Sequence, residues 1–100
     1  MMTCLTIVLP RSLEEALVDH LLEHPEWVPG FTTQVVDGHG RGVVYRGSAE
    51  QVRGRVVRVM VQIVTERDKA DALLAHLRES LVSPEIAWWT MPVSGFGRLA

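Results

Sequence analysis

One hundred residues make a single domain, large enough for one core and small enough that an oligomer interface would add appreciably to its stability. With 47% apolar and 22% charged residues, the chain has the make-up of a folded domain rather than a disordered tail. Its apolar runs fall far short of the roughly 20 residues that span a bilayer, which excludes direct membrane insertion by a helix.

In chain order, Thr3 to Leu9 is β-branched or apolar almost throughout and predicts a strand covered on at least one face, ended by Pro10. The opening MMTCLTIVLPRS has no basic n-region and its apolar run is cut by Pro10 and Arg11, so it reads as a strand and not as a leader. Cys4 is the single cysteine; it fits a reducing, cytoplasmic compartment and a buried thiol. Ser12 and Glu15 have capping-box spacing, and Leu13, Ala16, Leu17 and Leu21 follow helical spacing to about His24. Pro25 and Pro29 bracket a turn that includes Trp27, and Phe31 to Val36 predicts a second strand.

Asp37 and Gly38 then open a long connection. Beyond it, Val57, Val59, Val61 and Ile63 alternate with Arg58, Met60, Gln62 and Val64, the pattern of a long central strand. Thr65 and Asp68 form a second N-cap signature, and Ala70, Leu73, Leu74, Leu77 and Leu81 make an apolar stripe opposite Lys69, Asp71, Arg78 and Glu79. Ser83 and Pro84 break that helix, and Ile86 to Met91 predicts a fourth strand with Trp88 and Trp89 on opposite faces. The order βαββαβ implies an α+β, ferredoxin-like domain over 1–100, a four-stranded antiparallel sheet with two helices on one face. The other face, with Val36, Met60, Val64 and one tryptophan, then needs cover, as in a trimer packed sheet to sheet or a dimer closing a barrel.

The functional signal is concentrated between Gly38 and Arg58. Five arginines, Arg41, Arg46, Arg53, Arg55 and Arg58, stand there against one acid, Glu50, together with five of the eight glycines, so the stretch carries four positive charges within a chain of net −2. Glycines admit an anion close to backbone N–H groups, and arginines grip carboxylate or phosphate with two hydrogen bonds. GHGR at 38–41 is echoed by GFGR at 95–98: each reads either as an anion-binding concavity rimmed by Arg41 or Arg98, or as an ordinary glycine turn. Neither is a P-loop or a dinucleotide fingerprint. Arg53, Arg55 and Arg58 either solvate a hairpin, bind an anionic ligand or meet an acidic partner. Nucleic acid is disfavoured by the net charge and by the lack of aromatics, Tyr45 apart, among the basic residues. His20 and His24, one helical turn apart, are the candidate metal ligands, with a structural role on the apolar side of the helix as the alternative. No catalytic order of nucleophile, base and acid is present; an enzyme or carrier would use a pocket near Trp88, Trp89 and His76 on a dimeric barrel.

The segments LTIVLP, SLEEAL, VDGHGR, YRG, VRVMVQIVTE and DKADALLAHL together resemble the PII-like signalling proteins over nearly the whole chain. More particularly the chain is similar to a small uncharacterised branch whose genes often accompany heavy-metal efflux pumps. The resemblance implies a non-enzymatic homotrimer with ligand clefts between subunits and a flexible T-loop-like connection, here 37–56, between what would be two central strands. It places Gly38, Gly40 and Arg41 at a cleft edge, to which His39 of GHGR and Arg98 of GFGR are added as candidate ligand residues from their motifs, and it puts Tyr45, Arg46, Arg53 and Arg55 on a loop that contacts a protein target such as a metal-efflux transporter. The effector is a nucleotide, another anion or a metal ion. Where ATP-binding relatives carry a segment rich in glycine and lysine after the second helix, this chain has SLVSPE at 80–85, which sets it apart from them. The CutA type of divalent-metal tolerance trimer is the alternative resemblance, with the histidines as its ligands.

Overall fold

Alternation in the first and third strands decides the layout, because each sends every second side chain to the same face. The computed structural model describes residues 1–39 and 56–100. Strand β1 (Met2–Pro10) leads through a 3₁₀ turn (Arg11–Leu13) into helix α1 (Glu14–Glu23). There follow β2 (Thr32–Gly38), β3 (Val56–Glu66), α2 (Arg67–Ser80) and β4 (Ala87–Pro92). The sheet runs β2-β3-β1-β4 with every neighbour antiparallel, the architecture that the βαββαβ order implies. β2 is an edge strand, so the connection leaves the rim of the sheet and enters its centre, and does not join two central strands as expected.

Leu5, Ile7 and Leu9 pair across β1 and β3 with Ile63, Val61 and Val59. That row packs against Leu17 and Leu21 of α1 and Leu73, Leu74 and Leu77 of α2, so both helices lie on one face. The opposite row holds Cys4, Thr6 and Val8 beside Val64, Gln62 and Met60, with Trp89 and Met91 of β4 alongside. Thr6 is fully covered by its neighbours, yet Trp89 remains 42% and Met91 59% exposed. Cys4 is half-buried on this second face, its Sγ 4.0 Å from Thr6 Oγ1, and not in the core as expected.

Neither predicted side-chain cap forms. Pro10, in an extended conformation, starts a 3₁₀ turn that absorbs Ser12, so α1 begins at Glu14 behind Leu13, which has no capping oxygen. Glu14 and Glu15 still place negative charge in the first turn, where it favours the helix. At α2 the β1–β3 ladder continues to Glu66, so Thr65 stays in the strand and donates its hydroxyl to the Trp27 carbonyl at 3.0 Å. Asp68 instead accepts the Lys69 N–H at 3.0 Å.

Leu73 is wholly buried between α2 and the sheet. Leu73→Ala is expected to cost about 2–5 kcal/mol, read as a lower urea midpoint at unchanged slope. A loss below about 1 kcal/mol would mean that α2 is not seated on this core.

Candidate ligand cleft and histidine cluster

The sheet end where β2 stops and β3 starts carries the first of the predicted ligand residues. Gly38 pairs with Val56, and a Cβ at Gly38 would stand 3.0 Å from Arg58 Cγ and 3.3 Å from Val56 Cγ1. The glycine therefore answers a close approach, whatever its role toward a ligand. His39, the next residue, is exposed. Gly40, Arg41, Tyr45, Arg46, Arg53 and Arg55 lie outside the described residues, as does most of the 37–56 connection.

Arg58, read from sequence within a charge run, is not a solvating residue. It is 7% exposed, paired in register with Val36 and Pro10, and its Nη1 lies 3.7 Å from Glu85 Oε2. That separation gives Coulomb attraction but no hydrogen bond, and Nη1 is buried without a hydrogen-bond partner. A donor stripped of water in this way costs about 1–3 kcal/mol unless something accepts from it. The sequence held half of this signal: Arg58 shares a strand row with Met60 and Val64, a row that needs cover. Glu85, after the helix break, carried none.

Arg98 sits elsewhere. The C-terminal segment returns across the second sheet face after Val93 donates its N–H to the Met2 carbonyl at 3.1 Å. Phe96 and Arg98 there line a hollow of about 430 Å³ with Cys4, Phe31, Gln62 and Val64. This hollow adjoins the Thr32 end of β2, and six residue steps separate Thr32 from Gly38, about 20 Å along the strand. Within one chain, the two Gly-X-Gly-Arg motifs do not share a pocket.

The histidines assemble differently from the expected His20 and His24 pair. His20 Nδ1 lies 3.2 Å from Nε2 of His76 on α2, and their rings meet edge to face. His24 turns to Glu26, to whose Oε2 its Nδ1–H donates at 2.9 Å, and stacks on Trp27 with ring centres 4.5 Å apart. The His24 ring is also 4.5 Å from that of His76. This hydrogen bond from His24, aided by positive charge on the imidazoles, holds the Glu26 carboxyl below the ordinary glutamate range. Among the described residues, no three His, Cys, Asp or Glu side chains already surround a common metal position. His76 escaped the metal reading because only topology brings it to His20, 56 positions away.

The expected pocket of Trp88, Trp89 and His76 is not assembled. Trp88 faces the helices, lining a groove of about 190 Å³ with Ile7, Leu77, Leu81 and Ile86, and Arg78 Cζ lies 5.4 Å from its ring centre. Trp89 points to the opposite face and His76 belongs to the histidine cluster.

Together these features define a ferredoxin-like domain of the PII type. The chain belongs to the protein family of unknown function DUF3240, whose profile matches residues 1–100. A crystal structure of a DUF3240 family protein from Shewanella baltica is 21% identical, with a TM-score of 0.79, covering 99% of this chain and 97% of that one. Arabidopsis thaliana PII bound to citrate is 16% identical with a TM-score of 0.73, covering 98% of this chain and 80% of that one. A protein from Thermus thermophilus, described as PII-like in signalling, is 18% identical with a TM-score of 0.60, covering 90% of this chain and 83% of that one. At these identities the likeness is one of fold. A comparison with curated proteins found no match. Among the described residues, no helix is long and apolar enough to cross a membrane.

Removing the Glu85 carboxylate leaves the Arg58 charge buried with less compensation. Glu85→Ala is expected to destabilise the fold by about 1–3 kcal/mol, and Arg58→Met by less, since it removes the buried charge itself. Equal losses in denaturant titrations would deny Arg58 an uncompensated charge. For the histidine end, His24→Gln should raise the Glu26 carboxyl toward its ordinary range, followed by ¹³C NMR. An unmoved titration would remove His24 as the cause.

Proposed function

We propose that this protein is a non-enzymatic, cytoplasmic PII-like regulator acting as a homotrimer packed sheet to sheet. A small effector, either a nucleotide, another anion or a metal ion, binds at clefts between subunits. The observation that carries the reading is the second sheet face, where Cys4, Val8, Met60 and Val64 stand on either side of the Thr6–Gln62 pair and exposed Trp89 and Met91 flank them, on the fold shared with PII. An apolar face of this kind costs free energy in water and is relieved by a symmetric neighbour.

The separation of Gly38 from Arg98 supports the same assembly. If both contact one effector, they do so from different subunits, with Gly38, His39, Gly40 and Arg41 forming one wall and Arg98 the other. The 37–56 connection, rooted at Gly38 and Val56, then senses the cleft, and Tyr45, Arg46, Arg53 and Arg55 present its outcome to a protein target such as a metal-efflux transporter. The buried Arg58 beneath that root offers a donor without a hydrogen-bond partner, which favours an anionic group nearby.

Light scattering on a size-exclusion column is expected to give three times the 11.2 kDa chain mass; a stable monomer ends this reading. Calorimetric titration with ATP, ADP, cyclic nucleotides and divalent metals is expected to show binding by at least one of them, and Arg41→Ala and Arg98→Ala should both weaken binding of an anionic effector. If only one of the two matters, the shared cleft is wrong.

A further inference from the structure

The imidazoles of His20 and His76 face one another across the two helices, on the side of the domain away from the second sheet face. We propose that they form a divalent-cation site for a borderline first-row ion of the zinc class, with His24 as third ligand. Two nitrogens, each about 2.0–2.1 Å from a tetrahedral zinc ion, stand about 3.3 Å apart. Nδ1 of His20 and Nε2 of His76 are already 3.2 Å apart, so their spacing is that of two ligands on one ion. In the metal-free protein one nitrogen donates its proton to the other. When the ion binds, that proton shifts by exchange with solvent to the other nitrogen of the same ring, so both imidazoles stay neutral, and each turns so that its lone pair meets the ion.

His24 is prepared for the same role by a separate contact. An ionised carboxylate only accepts, so the 2.9 Å bond to Glu26 fixes the proton on Nδ1 and leaves Nε2 with its lone pair. A carboxylate orienting a histidine from behind is the arrangement that metal ligands use to fix tautomer and raise basicity. The His24 ring lies within 4.5 Å of that of His76, near enough for a side-chain rotation to bring Nε2 to the ion. Three half-buried imidazoles select for zinc, copper or nickel over magnesium and calcium, whose preferred ligands are oxygens. The site is complete within one chain, so it stands or falls apart from the trimer and its clefts.

The full chain is titrated with Zn(II) in a non-coordinating buffer and followed by calorimetry and by imidazole ¹⁵N NMR. One ion per chain is expected, with the ¹⁵N signals of His20 and His76 shifting together in the unaltered protein. His20→Gln and His76→Gln should each weaken binding by at least about tenfold, and Glu26→Gln by about 10-fold through loss of the orienting carboxylate. Circular dichroism melts confirm that these variants are folded, and the wild-type signals report the ligands even if one variant is not. Absence of binding, binding retained in both histidine variants, or ¹⁵N shifts confined to His39 would overturn the proposal; the last would move the ion to the cleft.

Discussion

The register of β1 on β3 is the constraint on which the rest depends. Leu5 opposite Ile63, Ile7 opposite Val61 and Leu9 opposite Val59 put the aliphatic row of both central strands under the helices. A slip of one residue would exchange that row for Thr6, Gln62 and their neighbours. The leucines of α1 and α2 have nowhere else to bury. The same pairing also creates the second face, since whatever is not in the core row is aligned by it: Cys4 with Val64, Thr6 with Gln62, Val8 with Met60. The second face is thus fixed by the core, and either one changes only with the other.

Strand and helix positions were legible because periodicity is written in the side chains themselves. Val57 to Ile63 alternate and Ala70 to Leu77 recur at helical spacing whatever surrounds them. Caps were less legible, since a capping residue is defined by the backbone on either side of it. Ser12 has the right oxygen at the wrong place once Pro10 sets a 3₁₀ turn, and Thr65 is claimed by a ladder whose length depends on Met2. The site was harder still. His20 and His24 are neighbours along a helix and invite pairing, whereas the contact between His20 and His76 exists only because two crossovers bring α1 and α2 side by side. Arg58 was left open for a related reason: a charge in a run can be solvated or paired, and only the fold brings Glu85 to it.

The candidate ligand groups on this scaffold lie at three places with distinct surroundings. At one end of the sheet lies an arginine buried beneath a tight glycine, suited to an anion or to a carboxylate partner. At the other end, Arg98 and Phe96 border a hollow over Cys4 and Val64, where a cation sits beside apolar surface. Between the helices stand imidazole nitrogens, one ring of which, that of His24, is backed by a carboxylate. The imidazole cluster differs from the two arginine sites in charge and donor type, so it suits a different class of ligand.

Their coupling, if they act together, runs through backbone that is already tied. Thr65, one residue before the end of β3, donates to the Trp27 carbonyl, Trp27 stacks on His24, and Arg67 at the start of α2 donates its N–H to the Met1 carbonyl at 2.8 Å. An ion held by His20 and His76 would pin α1 to α2 at a point whose next contacts are these strand ends, while leaving the second sheet face untouched. Binding there would stiffen the helix layer and leave the second sheet face as it is, whereas a ligand at the Gly38 end would act on the edge strand β2. The fold thus permits two inputs that meet only at β3, the strand that both the connection and α2 adjoin.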